Sequence, residues 1–229
     1  MEGKLYGIGV GPGDPELLTL KALRIVKESA IIAVPGEEPR ESVAYKIVKG
    51  AYPQLDEKEL VAVPMPMTKD KKKLEESHEK GAAMIAEYLK EGKQVAFLTL
   101  GDPTVYSTYI YIHKRIQAMG YPLEIVSGIP SFCAVSARLN TGLVEKAEPL
   151  HVIPASYGIE EALDLPGVKV LMKAGKTMGK VREKLEARGA ICKMIENCGM
   201  EDEKVYESLA EMPDQAGYYS LIIVKEQEG

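Results

Sequence analysis

Two Gly-Asp-Pro turns constrain the fold of this 229-residue chain more than any other feature of its sequence. Gly13-Asp14-Pro15 follows the apolar stretch KLYGIGV, and Gly101-Asp102-Pro103 follows the apolar stretch QVAFLTL. In each turn glycine permits a positive φ, aspartate can accept from the next backbone N–H groups, and proline suits a first helical turn. Both turns are therefore predicted to lie at the carboxyl ends of strands, the edge at which open α/β sheets bind ligands.

The pattern around these turns alternates between strand-like and helix-like stretches as far as residue 121. Apolar runs such as AIIAVP alternate with helix-like stretches. ELLTLKALRIVKES predicts a helix after the first turn, KKKLEESHEKGAAMIAEYLKEG predicts a long amphipathic helix that ends at Gly92, and VYSTYIYIHKRIQAMG predicts a helix from Val105. This alternation favours a mostly parallel sheet covered by helices. Beyond residue 121 the strand-like runs outnumber the helices, which indicates a mixed α+β unit. We expect two domains, 1–121 and 122–229, with a linker within 121–127 and a ligand in the cleft between them.

Composition and spacing argue against several classes of protein. The formal net charge of −5 disfavours a nucleic-acid partner, because such proteins usually carry a basic excess. The three cysteines form no C-x-x-C pair and the three histidines lie far apart, so we expect no protein metal site. No apolar run approaches the roughly 20 residues that span a bilayer, and the N-terminus lacks a signal-peptide core. A cytoplasmic protein without a membrane partner is the resulting expectation.

Two nucleotide-binding motifs are nearly present but have the wrong spacing. The glycines Gly7, Gly9, Gly11 and Gly13 do not give G-x-G-x-x-G, so a nicotinamide oxidoreductase is disfavoured. Gly175-Lys176-Thr177 resembles the end of a phosphate-binding loop, but Val170 stands where that motif requires glycine. The two Gly-Asp-Pro turns remain as the principal signal.

Together with SGIPSFCAVSARLN and EPLHVIPA, the two turns resemble the tetrapyrrole (corrin/porphyrin) methyltransferases along essentially the whole chain. GDPTVYSTY, GIPSFCA and EPLHVIP look most like the branch that methylates carbon 20 of precorrin-2 or cobalt-factor II in cobalamin biosynthesis. The resemblance implies the class III methyltransferase fold, with two α/β domains and the active site in the cleft between them. It also implies S-adenosylmethionine as cofactor, S-adenosylhomocysteine as product and a homodimer. One departure is Ser127, where relatives often carry proline.

The resemblance implies a set of cofactor-binding positions in the two turns and in four later segments. They are Pro12, Gly101, Asp102, Val105, Tyr106, Ser131, Phe132, Met172, Asn197, Cys198, Gly199, Tyr219, Ser220 and Leu221. Structural roles stay open for them, since Asp102 and Ser131 would also serve as helix caps, and Val105 and Met172 would also serve as core residues.

The substrate-binding positions come from the first turn and from the aromatic residues after the second. They are Gly11, Gly13, Asp14, Tyr109 and Tyr111. Aromatic faces would pack on a flat macrocycle, and lysines of VPMPMTKDKKK would meet its acetate and propionate groups, although a solvated loop is the simpler interpretation. The first domain is expected to hold the tetrapyrrole trough and the second to supply cofactor contacts.

The expected chemistry is a direct methyl transfer in which alignment and exclusion of water matter more than any one side chain. Asp102, Tyr106 or a propionate of the substrate are candidates for a base, and the sequence does not choose among them. Alternatives are a sister enzyme that methylates another ring carbon, a protein methyltransferase of the diphthamide type and a non-catalytic tetrapyrrole or cofactor carrier. Whether the substrate contains cobalt is left open.

Overall fold

A computed structural model of the chain describes residues 3–155 and 159–225, and it divides into two compact units, 1–130 and 131–229. Each unit is built around its own five-stranded sheet. The predicted domain boundary lies earlier, at residue 121, and the segment between the two positions contains a strand that pairs within the sheet of the first unit.

The first unit is an α/β layer structure with an entirely parallel sheet. Its strands run in the order β3-β2-β4-β1-β5 and are β1 (Lys4–Gly9), β2 (Ile31–Pro35), β3 (Glu59–Val63), β4 (Gln94–Thr99) and β5 (Leu123–Val126). Its helices are α1 (Leu20–Glu28), α2 (Val43–Ala51), α3 (Lys71–Lys90) and α4 (Tyr109–Ala118). Because all these strands are parallel, the loops that follow them emerge at one edge, the carboxyl edge of the first sheet.

Apolar side chains cover both faces of this sheet, as a parallel sheet requires. Ile32 and Val34 pack with α1 and α2 in one cluster, whereas their neighbours Ile31 and Ala33 pack with α3 and α4 in another. The first four residues of β2 are buried, and alternate residues among them contribute to opposite core layers, which explains the continuous apolar sequence.

The second unit has a mixed sheet, in agreement with its strand-rich sequence. The strand order is β6-β7-β10-β8-β9, with β6 and β7 parallel and the other pairs antiparallel. The strands are β6 (Leu150–Pro154), β7 (Val168–Met172), β8 (Ile191–Glu196), β9 (Lys204–Tyr206) and β10 (Ser220–Lys225), and the helices are α5 (Ser131–Arg138), α6 (Glu160–Leu163) and α7 (Met178–Ala187). One face of the sheet packs with α6 and α7, and the other packs with α5.

The helix predicted from Val105 begins four residues later, at Tyr109. Tyr106 adopts a φ of 48°, a left-handed conformation that cannot continue a right-handed helix. The helix predicted after the first turn is also divided, because extended Leu18 separates a short 3-10 turn at Pro15–Leu17 from α1. By contrast, the predicted stop of α3 at Gly92 is confirmed, with a φ of 78° there.

Candidate functional site

The two Gly-Asp-Pro turns, which lie far apart in the sequence, are joined at the carboxyl edge of the first sheet. Gly101 N donates to Gly11 O at 2.8 Å, and Gly11 N donates to Gly101 O at 3.2 Å. Both glycines have a positive φ, of 79° at Gly11 and 69° at Gly101, which favours glycine at both positions. The loops after β1 and β4 therefore form one continuous backbone platform.

A third loop, after β5, is packed against the same platform. A Cβ atom on Gly9 would lie 2.5 Å from Gly128 N, and one on Gly128 would lie 2.2 Å from Gly101 O. Only residues without side chains fit at these two positions. Gly9 and Gly128 were not among the predicted site residues, although a glycine close to the end of each of two strand-like runs was the available signal.

Asp102 holds the loop after β5 against the platform through hydrogen bonds. Its side chain is 7% exposed, Oδ2 accepts from Gly128 N at 3.0 Å, and Oδ1 accepts from Thr104 N at 2.8 Å and from Thr104 Oγ1 at 2.5 Å. The suggestion that Asp102 caps a helix at Val105 is wrong, because α4 begins at Tyr109. Asp102 instead connects the loop after β4 to the loop after β5.

Open space lies beside the platform at Gly101. A Cβ atom built there meets only Ile129 O, at 3.9 Å. A ligand can therefore approach the backbone of the turn closely, which fits the prediction that Gly101 is a cofactor-binding position. Half-buried Val105 follows in the same loop.

The first turn combines buried and accessible residues. Gly11, Pro12 and Gly13 are buried, and Asp14 is half-buried. Asp14 Oδ1 accepts from Glu16 N at 2.8 Å and so caps the short 3-10 turn that follows. One side-chain oxygen of Asp14 therefore has a structural role, as the cap of this turn.

The three tyrosines after the second turn occupy different environments. Tyr106 is 51% exposed and Tyr111 is 46% exposed, and the Tyr111 ring stacks on His78 with ring centroids 4.6 Å apart. Tyr109 is fully buried and packs against Phe97, its hydroxyl lies 3.1 Å from His113 Nδ1, and burial raises its pKa. The structure thus places Tyr106 and Tyr111 at the surface of the first unit and Tyr109 in its core.

Exposed apolar side chains occur on three segments that follow strands of the first sheet. Leu20 begins α1 after β1 and is 86% exposed, Met67 lies in the loop after β3 and is 82% exposed, and exposed Tyr106 follows β4. The lysines at 69, 71, 72 and 73 are also exposed and follow β3. This edge therefore offers both apolar surface and positive charge, a combination suited to a flat molecule with acidic substituents.

In the second unit, three of the predicted cofactor segments meet where β7 and β8 end and β10 begins. Met172 pairs with Leu221, Asn197 N donates to Tyr219 O at 3.1 Å, and Lys173 N donates to Ser220 O at 3.2 Å. The antiparallel pairing of β10 with both neighbours brings these segments together, and short-range sequence patterns do not predict such pairing.

The loop after β8 has its own hydrogen bonds. Asn197 and Gly199 have φ values of 53° and 76°, Asn197 Nδ2 donates to Asp202 Oδ2 at 2.7 Å, and Gly199 N donates to Glu203 Oε2 at 2.8 Å. Cys198 lies half-buried between them. The loop thus holds a tight turn directly after the strand.

The remaining predicted cofactor residues begin α5. Ser131 is its first residue, and Phe132 packs against the same apolar cluster as Met172 and Cys198. Leu221 belongs to that cluster as well. The structure therefore brings together most of the predicted cofactor residues of the second unit.

Among residues 3–155 and 159–225, no group of three or more His, Cys, Asp and Glu side chains is arranged to bind a metal ion. No helix in that part of the chain is long and apolar enough to span a membrane.

Comparison with known proteins assigns the family. The family model of the Tetrapyrrole (Corrin/Porphyrin) Methylases matches residues 4–213. The chain belongs to this family. A relative from Methanocaldococcus jannaschii, named "Probable cobalt-precorrin-2 C(20)-methyltransferase", is 36% identical over 97% of this chain and 96% of its own length. The "Cobalt-precorrin-2 C(20)-methyltransferase" of Salmonella typhimurium is 32% identical over 99% of this chain and 98% of its own.

Solved structures confirm the predicted class III methyltransferase fold. The uroporphyrin-III C-methyltransferase of Thermus thermophilus superimposes with a TM-score of 0.71 at 21% identity, covering 98% of both chains, and was solved with S-adenosylhomocysteine bound. The two α/β units of this family member therefore have the architecture that its sequence motifs imply.

Proposed function

We propose that this protein transfers a methyl group from S-adenosylmethionine to carbon 20 of precorrin-2 or cobalt-factor II in cobalamin biosynthesis. The observation that carries the proposal is full-length similarity to two relatives named for carbon-20 methylation. The joined Gly-Asp-Pro turns support it, because they form a backbone platform at the edge where parallel sheets bind ligands.

The cofactor is proposed to contact both units through the residues that the family resemblance implies. In the first unit they are Pro12, Gly101, Asp102, Val105 and Tyr106, and the open space beside Gly101 supports this assignment. In the second they are Ser131, Phe132, Met172, Asn197, Cys198, Gly199, Tyr219, Ser220 and Leu221, and the convergence of β7, β8 and β10 supports it. The cofactor bound to the Thermus thermophilus enzyme agrees with this choice of ligand.

The tetrapyrrole is proposed to bind at the carboxyl edge of the first sheet. Gly11, Gly13, Asp14 and Tyr111 remain the proposed contacts, and the exposed apolar groups on neighbouring loops add surface for the macrocycle. Tyr109 has a different proposed role. Its fully buried ring fills the space beside Gly7, where a Cβ would lie 2.1 Å from Tyr109 Cε1, and so supports the strand beneath the turn.

The chain's residues are proposed to act mainly by positioning. S-adenosylmethionine supplies a methyl group that its sulfonium already activates, so no covalent bond to the protein is required. The platform of Gly11, Gly101 and Gly128 holds rigid backbone groups at the reacting edge, which favours in-line approach. Asp102 already accepts three hydrogen bonds within its unit. We therefore assign it to positioning, and proton removal from carbon 20 to Tyr106 or a substrate propionate.

We also propose that the protein works as a homodimer in the cytoplasm, as the resemblance to cobalamin-pathway enzymes implies. The first domain would hold most of the tetrapyrrole surface, and the second would complete the cofactor contacts. Light scattering on the purified protein measures the oligomeric state directly.

The test of the function is an anaerobic assay with S-adenosylmethionine labelled in its methyl group. Precorrin-2 and cobalt-factor II are offered separately, and the product is examined by mass spectrometry and NMR. We expect one labelled methyl group at carbon 20 with at least one of the two acceptors. Methylation of another carbon would identify a sister enzyme, and tight cofactor binding without transfer to either acceptor would favour a carrier; both results contradict the proposal.

A further inference from the structure

A buried carboxylate lies among the proposed cofactor segments of the second unit, although it was not among the candidate residues. Glu196 is the last residue of β8 and is 8% exposed. Its Oε1 accepts from Tyr206 Oη at 2.9 Å, and its Oε2 accepts from Gly217 N at 2.8 Å. Each oxygen therefore has a donor from a different segment of the chain.

These two hydrogen bonds compensate the cost of burying the carboxylate. An unpaired buried acceptor destabilises the fold, and more strongly when it is charged. Burial, together with the hydrogen bond and the charge of Glu196, raises the pKa of Tyr206 to about 12. The phenol therefore stays protonated and remains a donor to Glu196 across the neutral pH range.

Through Gly217, Glu196 fixes the segment that leads into β10. Tyr218 and Tyr219 follow Gly217 directly and pack edge to face with ring centroids 5.2 Å apart. Asn197, next to Glu196 in sequence, donates from its backbone N to Tyr219 O at 3.1 Å. The end of β8 thus holds the start of β10 at two successive residues.

A third segment depends on the same arrangement. Ser220 Oγ accepts from Gly175 N at 3.3 Å, and a Cβ atom on Gly175 would lie 3.3 Å from Gly217 O. The loop after β7 therefore packs closely against the segment that Glu196 holds. A shift of Gly217 would disturb the ends of β7, β8 and β10 together.

We propose that Glu196 is a positioning residue for S-adenosylmethionine, acting through Gly217 to set the place of Tyr219, Ser220 and Leu221. This inference rests on the proposed function, because those three residues are its proposed cofactor contacts. Because each oxygen of buried Glu196 accepts from a different segment, we assign the residue to holding the backbone.

The experiment measures binding of S-adenosylhomocysteine by calorimetry to wild type, Glu196→Ala and Glu196→Gln. We expect Glu196→Ala to weaken binding by about tenfold, the equivalent of losing one hydrogen bond to a charged group. Glu196→Gln should stay within about threefold of wild type, because its amide oxygen can accept from Gly217 N while its NH₂ group donates to Tyr206 Oη. In turnover assays, Glu196→Ala should raise the KM for S-adenosylmethionine with little change in kcat.

Glu211→Ala is the matched control. Glu211 is an exposed carboxylate that also accepts from one backbone N–H, of Glu207 at 3.1 Å, and one hydroxyl, of Ser208 at 3.0 Å. It lies outside the proposed cofactor contacts, so its removal should leave S-adenosylhomocysteine binding unchanged.

The outcomes separate the inference from the function on which it rests. Failure of wild type to bind S-adenosylhomocysteine would contradict the proposed function itself. Normal binding by both wild type and folded Glu196→Ala would overturn the positioning role alone, as would a lowered melting temperature without a change in Kd. If Glu196→Ala does not fold, Glu196→Asp keeps the charge but draws the carboxylate back from Gly217 N by one methylene, and an unchanged Kd for that variant would overturn the role equally.

Discussion

At the scale of single residues, Asp102 joins a third loop, the one after β5, to the platform that the two Gly-Asp-Pro turns form. Both turns have the same three residues, but Asp14 caps only its own 3-10 turn, whereas Asp102 also accepts from Gly128 N, 26 residues away. The sequence pattern predicts that both aspartates bond nearby backbone groups. It does not predict the bond to Gly128, because that contact depends on β5 lying beside β1 in the folded sheet.

We expect Asp102→Ala to reduce both stability and activity, but to leave measurable catalysis. The change leaves the buried Gly128 N without its acceptor, at a cost of about 1–3 kcal/mol in urea unfolding, and Asp14→Ala should cost less. The single-turnover rate at saturating cofactor and substrate should fall by less than about 10²-fold, the lower limit typical of losing a general base. A loss of many orders of magnitude in folded protein would instead make Asp102 the base.

At the scale of elements, patterning predicts the presence of most strands and helices better than their ends. The mostly buried β2 and β4 and the long amphipathic α3 follow from local sequence alone. The start of α4 does not follow from local sequence. The helix cannot include Tyr106 because that residue has a positive φ, and tyrosine has no strong preference for that conformation. Local sequence also does not predict that β5 belongs to the first sheet, since its partner β1 lies more than 100 residues earlier.

The pairing of β5 with β1 carries an ionic contact that makes stability depend on pH. Glu124 on β5 lies 2.7 Å from Lys4 Nζ on β1 and 2.6 Å from Lys21 Nζ on α1. Hydrogen bonds from Lys21 and Lys4 lower the pKa of Glu124 from 4.5 to about 2. A carboxyl group whose pKa is lower in the folded state stabilises the fold above its unfolded pKa and loses that contribution as the pH falls.

Glu124→Gln should therefore destabilise the protein at pH 7 by up to about 1 kcal/mol, the size typical of partly exposed ion pairs. The difference from wild type should shrink as the pH falls from about 5 towards 2, and should also shrink in high salt. Urea unfolding across this pH range measures it. Glu28→Gln, which removes one exposed pair with Arg24, is the control and should show a smaller effect. A difference that does not change with pH would show that the charge of Glu124 contributes nothing.

At the scale of the whole molecule, the sequence motifs predict the fold and the family because they extend over nearly the full chain. They predict individual contacts less well. Gly101 and Asp102 lie at the carboxyl end of β4 as expected, but Tyr109 is buried in the core, and Glu196 is absent from every motif considered. Burial and long-range hydrogen bonding depend on how distant segments pack, and a motif records residue types without recording those partners.

The distribution of charge over the molecule leads to the last prediction. An overall charge of −5 repels a substrate with acetate and propionate groups, so association requires local positive charge. Lys69, Lys71, Lys72 and Lys73 supply it beside the carboxyl edge of the first sheet, and they form no ion pair with any other residue that the structure describes. We define these four residues as the basic segment.

Replacing all four lysines of the basic segment with glutamine should raise the KM for the tetrapyrrole by about tenfold or more and leave the KM for S-adenosylmethionine nearly unchanged. It should also flatten the fall of kcat/KM with ionic strength, because salt screens the attraction that the lysines provide. The matched control removes the same charge elsewhere, at Lys80, Lys114, Lys180 and Lys204. Since both variants have the same net charge, equal effects would show that only the overall charge matters, whereas a larger effect at the basic segment locates the acidic substituents of the substrate there.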